Sequence, residues 1–143
     1  MKILLATDGS SYAEEAAWLL AHLPHTERIE LTILSVNSKS YVHGSLEVVE
    51  WVQKEVEAAK TQMSAACERV AQMFEGADVR VETLVSEGHP GTSIVNTAKE
   101  RAVDLIVLGA VGHSTLDRML LGSVSDFVAT HASCSVLVVR PTG

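Results

Sequence analysis

The sequence predicts an α/β protein in which a doubly wound parallel sheet carries helices on both faces. Two observations carry this reading. Five apolar runs of strand length alternate with segments whose apolar residues recur every three or four positions. Glycine, proline or a helix-capping residue stands at most of the boundaries between them. The 143 residues contain no internal repeat, low-complexity stretch or linker, so residues 1–143 read as one domain.

The first strand is Lys2-Ile3-Leu4-Leu5-Ala6, which stops at Thr7-Asp8-Gly9-Ser10. Ser11 and Glu14 have the S-x-x-E spacing of a capping box. Ala13, Ala16, Ala17, Leu20 and Leu23 then keep helical spacing until Pro24 ends the helix. Ile29, Leu31 and Ile33 open a second strand that runs to about Val36. After a polar connection from Asn37 to Ser45, a long helix fits Val52, Val56, Ala59, Met63, Ala66, Val70 and Met73, with Trp51 and Phe74 near its ends as packing residues. Val79, Val81, Thr83 and Val85 alternate as a third strand. Gly88-His89-Pro90-Gly91 is turn chemistry, with Pro90 suited to a first helical position, and Ile94, Val95, Ala98 and Val103 mark a short helix. The fourth strand is 104–109, and the fifth runs from Ser135 to Arg140.

Strands one and four are apolar at nearly every position, as expected of strands covered on both faces. Strand three alternates with charge, as an edge strand does. Strand five, Val136-Leu137-Val138-Val139, is apolar throughout although the last strand of such a sheet often lies at an edge. A bare apolar edge invites pairing. Two-fold pairing of strand five with a second copy predicts a homodimer through 135–140; the alternative is an internal fifth strand.

A formal charge of −7 argues against a nucleic-acid partner, which needs clustered Lys and Arg. No apolar run approaches the ~20 residues of a membrane span, and the opening residues read as a strand rather than a signal peptide. The cytoplasm is therefore the expected location. Cys67 and Cys134 fit small apolar packing residues better than a disulfide.

The stretch with the most chemical content is 109–125, GAVGHSTLDRMLLGSVS. It lies between the fourth strand and a segment, Val124 to Thr130, that can continue as a helix. Gly109, Gly112 and Gly122 let backbone N–H groups approach an anion, and Ser123 and Ser125 add hydroxyls where a helix N-terminus favours negative charge. Such loops hold phosphate in α/β proteins.

The spacing G-x2-G-x9-G-S, followed by Val124-Ser125, resembles the ATP-binding branch of the universal stress protein family. Ile3 through Ser10, Ser35-Val36, Gly88 with Pro90, Asp104 through Gly109, and Val136 through Arg140 match further family segments in order. The resemblance implies a Rossmann-like sheet in the order 3-2-1-4-5, which agrees with the edge argument. It implies that Ala6, Thr7 and Asp8 face the nucleoside, with Asp8 accepting a hydrogen bond from it. Val36 would bring main-chain groups to the adenine edge. Gly109, Ala110, Val111, Gly112, His113, Ser114 and Thr115 would wrap ribose and phosphates, and Gly122, Ser123, Val124 and Ser125 would supply donors. The implied cofactor is ATP, with Mg²⁺ or Mn²⁺ as the phosphates' metal rather than a protein site. Ala110 and Val111 stand where relatives often carry Ser with Arg or His, which implies one polar contact fewer.

Other groups fit structural roles. Asp104 precedes a strand at the far end of the sheet from the loops, and Asp8 would also serve as a cap to the first helix. His22 and His25 flank Pro24 without an acidic or Cys partner, so they read as surface residues. No G-x-S-x-G elbow, Cys–His pair or P-loop lysine is present, and the loop's one cation is Arg118. The expected function is a nucleotide-dependent regulatory dimer in the stress response, acting on a protein partner the sequence does not identify. Two alternatives remain: a slow ATPase on the same fold, and an interaction protein that has lost nucleotide binding.

Overall fold

The computed structural model describes residues 1–38, 45–112 and 121–141. Its elements run β1 (Lys2–Ala6), α1 (Ser11–His22), β2 (Ile29–Asn37), α2 (Leu46–Gln72), β3 (Val79–Glu87), α3 (Pro90–Glu100), β4 (Leu105–Gly109), α4 (Ser123–His131) and β5 (Ser135–Val139). All four strand pairings are parallel, and the sheet order is β3-β2-β1-β4-β5. Strand order therefore reverses between β1 and β4, which pair from Ile3↔Leu105 to Leu5↔Val107.

Two apolar cores follow from the period of two along each strand. Ile3, Leu5, Leu31, Ile33 and Val107 face Ala16, Ala17, Leu20, Cys67 and Val70 of α1 and α2. Leu4, Ala6, Leu34, Ile106 and Leu108 face Ile94 and Ala98 of α3 and Val128 of α4. The central strands are apolar in succession because helices cover both of their faces. Both expected edges are observed. β3 keeps Arg80 and Glu82 exposed, and β5 lies at the other end with Val136, Leu137 and Val138 half-buried.

Asp104 has the structural role expected of it. Its Oδ2 accepts the Lys2 N–H at 2.7 Å, and its own N–H donates to the Lys2 carbonyl at 2.8 Å. This pair of hydrogen bonds sets the start of β4 against β1.

Helix starts differ from the sequence reading in detail. The cap of α1 is Ser10 rather than Ser11: Ser10 is extended, and its Oγ accepts from the Ala13 N–H at 3.2 Å. The Gly9 turn, at φ +77°, advances the cap by one residue. Glu14, freed from a capping box, pairs instead with Arg69 of α2 at 3.4 Å. Pro90 takes the first position of α3 as expected, and the preceding His89 is the cap, with Nδ1 accepting from the Thr92 N–H at 3.3 Å. Gly91 lies inside α3, not in the turn, and is buried against Phe127 of α4.

Phe74 is buried as expected, but Trp51 is 63% exposed and is not a packing residue. The reason is the length of α2. Lys60 pairs with Glu87 at the end of β3, with 3.0 Å between charged atoms. At 1.5 Å per residue, the turns before Lys60 extend roughly 20 Å past the sheet. Ala66 is the first buried side chain described along the helix, so Trp51 belongs to a segment with no sheet beneath it. Met73, 38% exposed, likewise falls outside the core at the helix end.

Candidate functional site

In open parallel sheets the crevice outside the carboxyl ends of the strands, where strand order reverses, is where ligands bind. Here the chain leaves β1 through Thr7 and Asp8 toward one face and leaves β4 through Ala110, Val111 and Gly112 toward the other. A cleft of about 400 Å³ opens between them. One side is apolar, formed by Leu34, Val36, Pro90, Ile94 and Leu108, and the other carries Asp8, Gly109 through Gly112, and Gly122 through Ser125. A small cleft with an apolar wall and a few convergent polar groups is the ordinary form of a small-molecule site.

The turn after β1 is held by its own side chains. Thr7 donates its N–H to the Leu34 carbonyl at 2.9 Å, the last rung between β1 and β2. Thr7 Oγ1 accepts from Gly9 N–H at 3.2 Å, and Asp8 Oδ1 accepts from Ser10 N–H at 2.9 Å. The Asp8 carboxylate reaches the loop after β4: a Cβ on Gly112 would lie 2.7 Å from its Oδ2. A side chain at Gly112 would have to displace the tip of the Asp8 side chain. Gly109 is tight for a different reason, since a Cβ there would lie 3.1 Å from the Tyr12 carbonyl of α1.

Val36 presents main-chain groups for a geometric reason. In a parallel strand the N–H and C=O of one residue point to the same side, and alternate residues switch sides. The Leu34 carbonyl points toward β1. Two residues later Val36 points the same way, but β1 has ended at Ala6 and no strand is there to pair with it. Its N–H and C=O face the cleft.

The polar side also holds the start of α4. Gly122 is its N-cap, and no side chain caps it. The N–H groups of Ser123, Val124 and Ser125 belong to the first turn and have no carbonyl within the helix to bond. They lie at the positive end of the helix dipole, against the cleft. This end is fixed to β4 through one atom. The Ala110 carbonyl accepts from Gly122 N–H and from Ser125 Oγ, both at 2.7 Å, while Ala110 N–H donates to the Val139 carbonyl of β5. Ser125 is 2% exposed, and its hydroxyl is 3.0 Å from the Gly122 carbonyl as well. Its single proton is committed inside the protein. Ser125 therefore positions the helix start instead of offering the hydroxyl donor expected of it, and Ser123 is the exposed hydroxyl at this wall.

Of the residues singled out in the sequence, Ala6, Thr7, Asp8, Val36, Gly109, Ala110, Val111, Gly112, Gly122, Ser123, Val124 and Ser125 all line this one cleft. His113, Ser114, Thr115 and Arg118 lie outside the described residues. Asp8 is the one ionisable side chain among the described residues of the lining. Sequence reasoning missed Asn37, Ser38 and Met63, which also line it. Met63 was visible as a member of the helical stripe of α2. Asn37 was assigned to the connection, whereas β2 continues through it.

The other candidate groups of the sequence lie outside the described lining of the cleft. His22 stacks on Trp18 with ring centroids 4.1 Å apart, and its Nδ1 is 2.8 Å from the Trp18 carbonyl. Both cysteines are free thiols. Burial, and then the Glu68 carboxylate, push the Cys67 thiol above its usual range, so it remains protonated and inert in the core. Among the described residues, no three His, Cys, Asp or Glu side chains come together as a metal site. No helix among them is long and apolar enough to cross a membrane.

Comparisons with known proteins agree with this arrangement. Universal stress protein YxiE of Bacillus subtilis is 35% identical over 145 residues, which cover 97% of this chain and 98% of the relative. The solved structure of universal stress protein UspA from Lactobacillus plantarum superposes with a TM-score of 0.74 at 33% identity, covering 98% of this chain and 97% of that one. A universal stress protein solved in complex with cAMP superposes with a TM-score of 0.66 at 26% identity, over 99% and 98% of the two chains. The model of the Universal stress protein family matches residues 1–140. The glycine spacing, the 3-2-1-4-5 sheet and a match over nearly the whole chain have one consequence: this chain belongs to the universal stress protein family.

Proposed function

We propose that the protein is an ATP-binding regulatory dimer of the cytoplasm. One observation carries the nucleotide reading: the uncapped start of α4 lies beside the Gly109–Gly112 backbone on one side of a cleft whose other side is apolar. Phosphates suit the first side, since free N–H groups and a helix dipole favour an anion there. A flat base suits the second, with the main chain of Val36 at its edge. The cAMP complex of a relative supports adenine nucleotides as the ligand class. ATP would rest its phosphates on Ser123, Val124 and the glycines, and a Mg²⁺ or Mn²⁺ ion would come with those phosphates. Phosphoryl transfer relies on cationic stabilisation of the moving phosphoryl group, and Asp8 is the one charge among the described lining residues. Binding, with at most slow hydrolysis, is the activity this chemistry favours.

The reading is tested by denaturing purified protein and chromatographing what it releases. Adenine nucleotide near one per chain, together with a rise in melting temperature on adding ATP, is the expected result. An empty protein whose melting temperature does not respond to adenine nucleotides overturns it.

The dimer is proposed through β5. The outer side of β5 faces no described strand, and its apolar side chains are only half-covered. Pairing with the same strand of a second copy would bury them about a two-fold axis. Val138→Lys places a charge in that surface and is expected to give monomer by light scattering; an unchanged mass puts the interface elsewhere.

A further inference from the structure

Asn37 ends β2 at the rim of the cleft and is half-buried there. Its main chain is fixed independently of its side chain, because its carbonyl accepts the Gly88 N–H at 2.8 Å on the β3 side. Its carboxamide makes no hydrogen bond to any described residue. It has the parity of Ile33, which packs toward α1 and α2, and so it enters the cleft from that layer. Val36 and Leu34 belong to the opposite layer. Among the described residues, the N–H and C=O of Val36 and the amide of Asn37 have no partner, and they are successive groups along one rim.

We propose that Asn37 reads the base of the bound nucleotide and selects a 6-aminopurine over a 6-oxopurine. The proposal rests on the reading that this cleft binds a purine nucleotide. A carboxamide offers one acceptor oxygen and one NH₂ donor in a single plane. A 6-aminopurine presents an amino donor beside the N7 acceptor, and the amide matches both at once. A 6-oxopurine presents two acceptors there. Whichever way the amide is turned, its oxygen then faces an acceptor, and a desolvated polar group is left unpaired. The wall supplies affinity for any flat base, and Asn37 supplies the discrimination.

The test is calorimetric titration of adenosine and inosine 5′-monophosphates, which differ in the group at position 6 and in the proton that the oxo form carries on N1. Wild type is expected to prefer the adenine nucleotide. In Asn37→Ala that preference falls about tenfold, the discrimination a two-bond amide contact supplies, chiefly through weaker adenine binding. Asn37→Asp also loses preference, because a carboxylate has no donor for N7. Asn37→Gln, which keeps both groups, retains more preference than Asn37→Ala. A merely structural Asn37 would weaken both nucleotides equally, and an unchanged ratio in Asn37→Ala with binding retained overturns this proposal alone. Failure of wild type to bind either nucleotide overturns the cleft reading and this one together.

Discussion

Gly122→Asp lowers nucleotide affinity by about a hundredfold or more while leaving the protein folded. The new carboxylate stands at the N-cap of α4, beside the free N–H groups of Ser123 and Val124. Asp is among the best N-cap residues, and its charge suits the positive end of the helix dipole, so the helix itself is not weakened. The same charge meets the phosphates. Two like charges ~4 Å apart in a partly desolvated site repel by about 4 kcal/mol, and the carboxylate also takes the N–H donors that the phosphate would use. Calorimetry with ATP reads the loss, and thermal melting without ligand reads the intact fold. Full affinity in the variant would place the phosphates away from α4.

Gly91→Ala has the largest expected effect on stability. The added Cβ would lie 2.6 Å from Phe127 Cδ1 and 2.9 Å from Cγ, at the root of the ring rather than at a mobile tip. Phe127 has little freedom to yield, because it stacks on His131 at 4.1 Å and meets His89 edge-on at 5.6 Å. The helices α3 and α4 must separate slightly, and overpacking of this kind costs about 1–3 kcal/mol. Urea unfolding of Gly91→Ala, Phe127→Leu and the double variant checks the cause. The double variant is expected to be more stable than the sum of the two losses predicts. Strict additivity would show that the ring is not what the methyl strikes.

Much of this fold was readable because the sheet is buried on both faces. Runs such as Ile3-Leu4-Leu5 and Ile106-Val107-Leu108 have no polar alternative, and strands of that kind require helices on either side. The charges of Arg80 and Glu82 marked the β3 edge for the converse reason. Details that depend on where the chain stops were less readable. Ser10 and Ser11 are equally good caps, and the left-handed Gly9 chooses between them through geometry that the sequence does not display. Trp51 keeps the rhythm of a packed helix, but nothing local shows that the sheet ends before it.

The site divides in the same way. Glycine spacing revealed the Gly109–Gly112 and Gly122 walls, because a missing Cβ is a visible signal. The hydroxyl of Ser125 looked like a ligand donor, and only the position of the Ala110 carbonyl shows that it is used inside. Asn37 gave no signal, since an Asn after a strand is ordinary turn chemistry. Its place in the cleft depends on β2 outrunning β1.

The bond pair between Lys2 and Asp104 joins residues 102 positions apart, and it bears on when the site can exist. The Val36 rim of the site comes from the end of β2, and its glycine backbone and helix start come from the last third of the chain. A ribosome-bound chain carrying β1, α1 and β2 has the Val36 rim but neither the glycine backbone nor the start of α4. At 5–20 residues per second, several seconds of synthesis separate the two parts. Nucleotide cannot template the early steps of folding. It can only be captured by a chain whose two ends have already met.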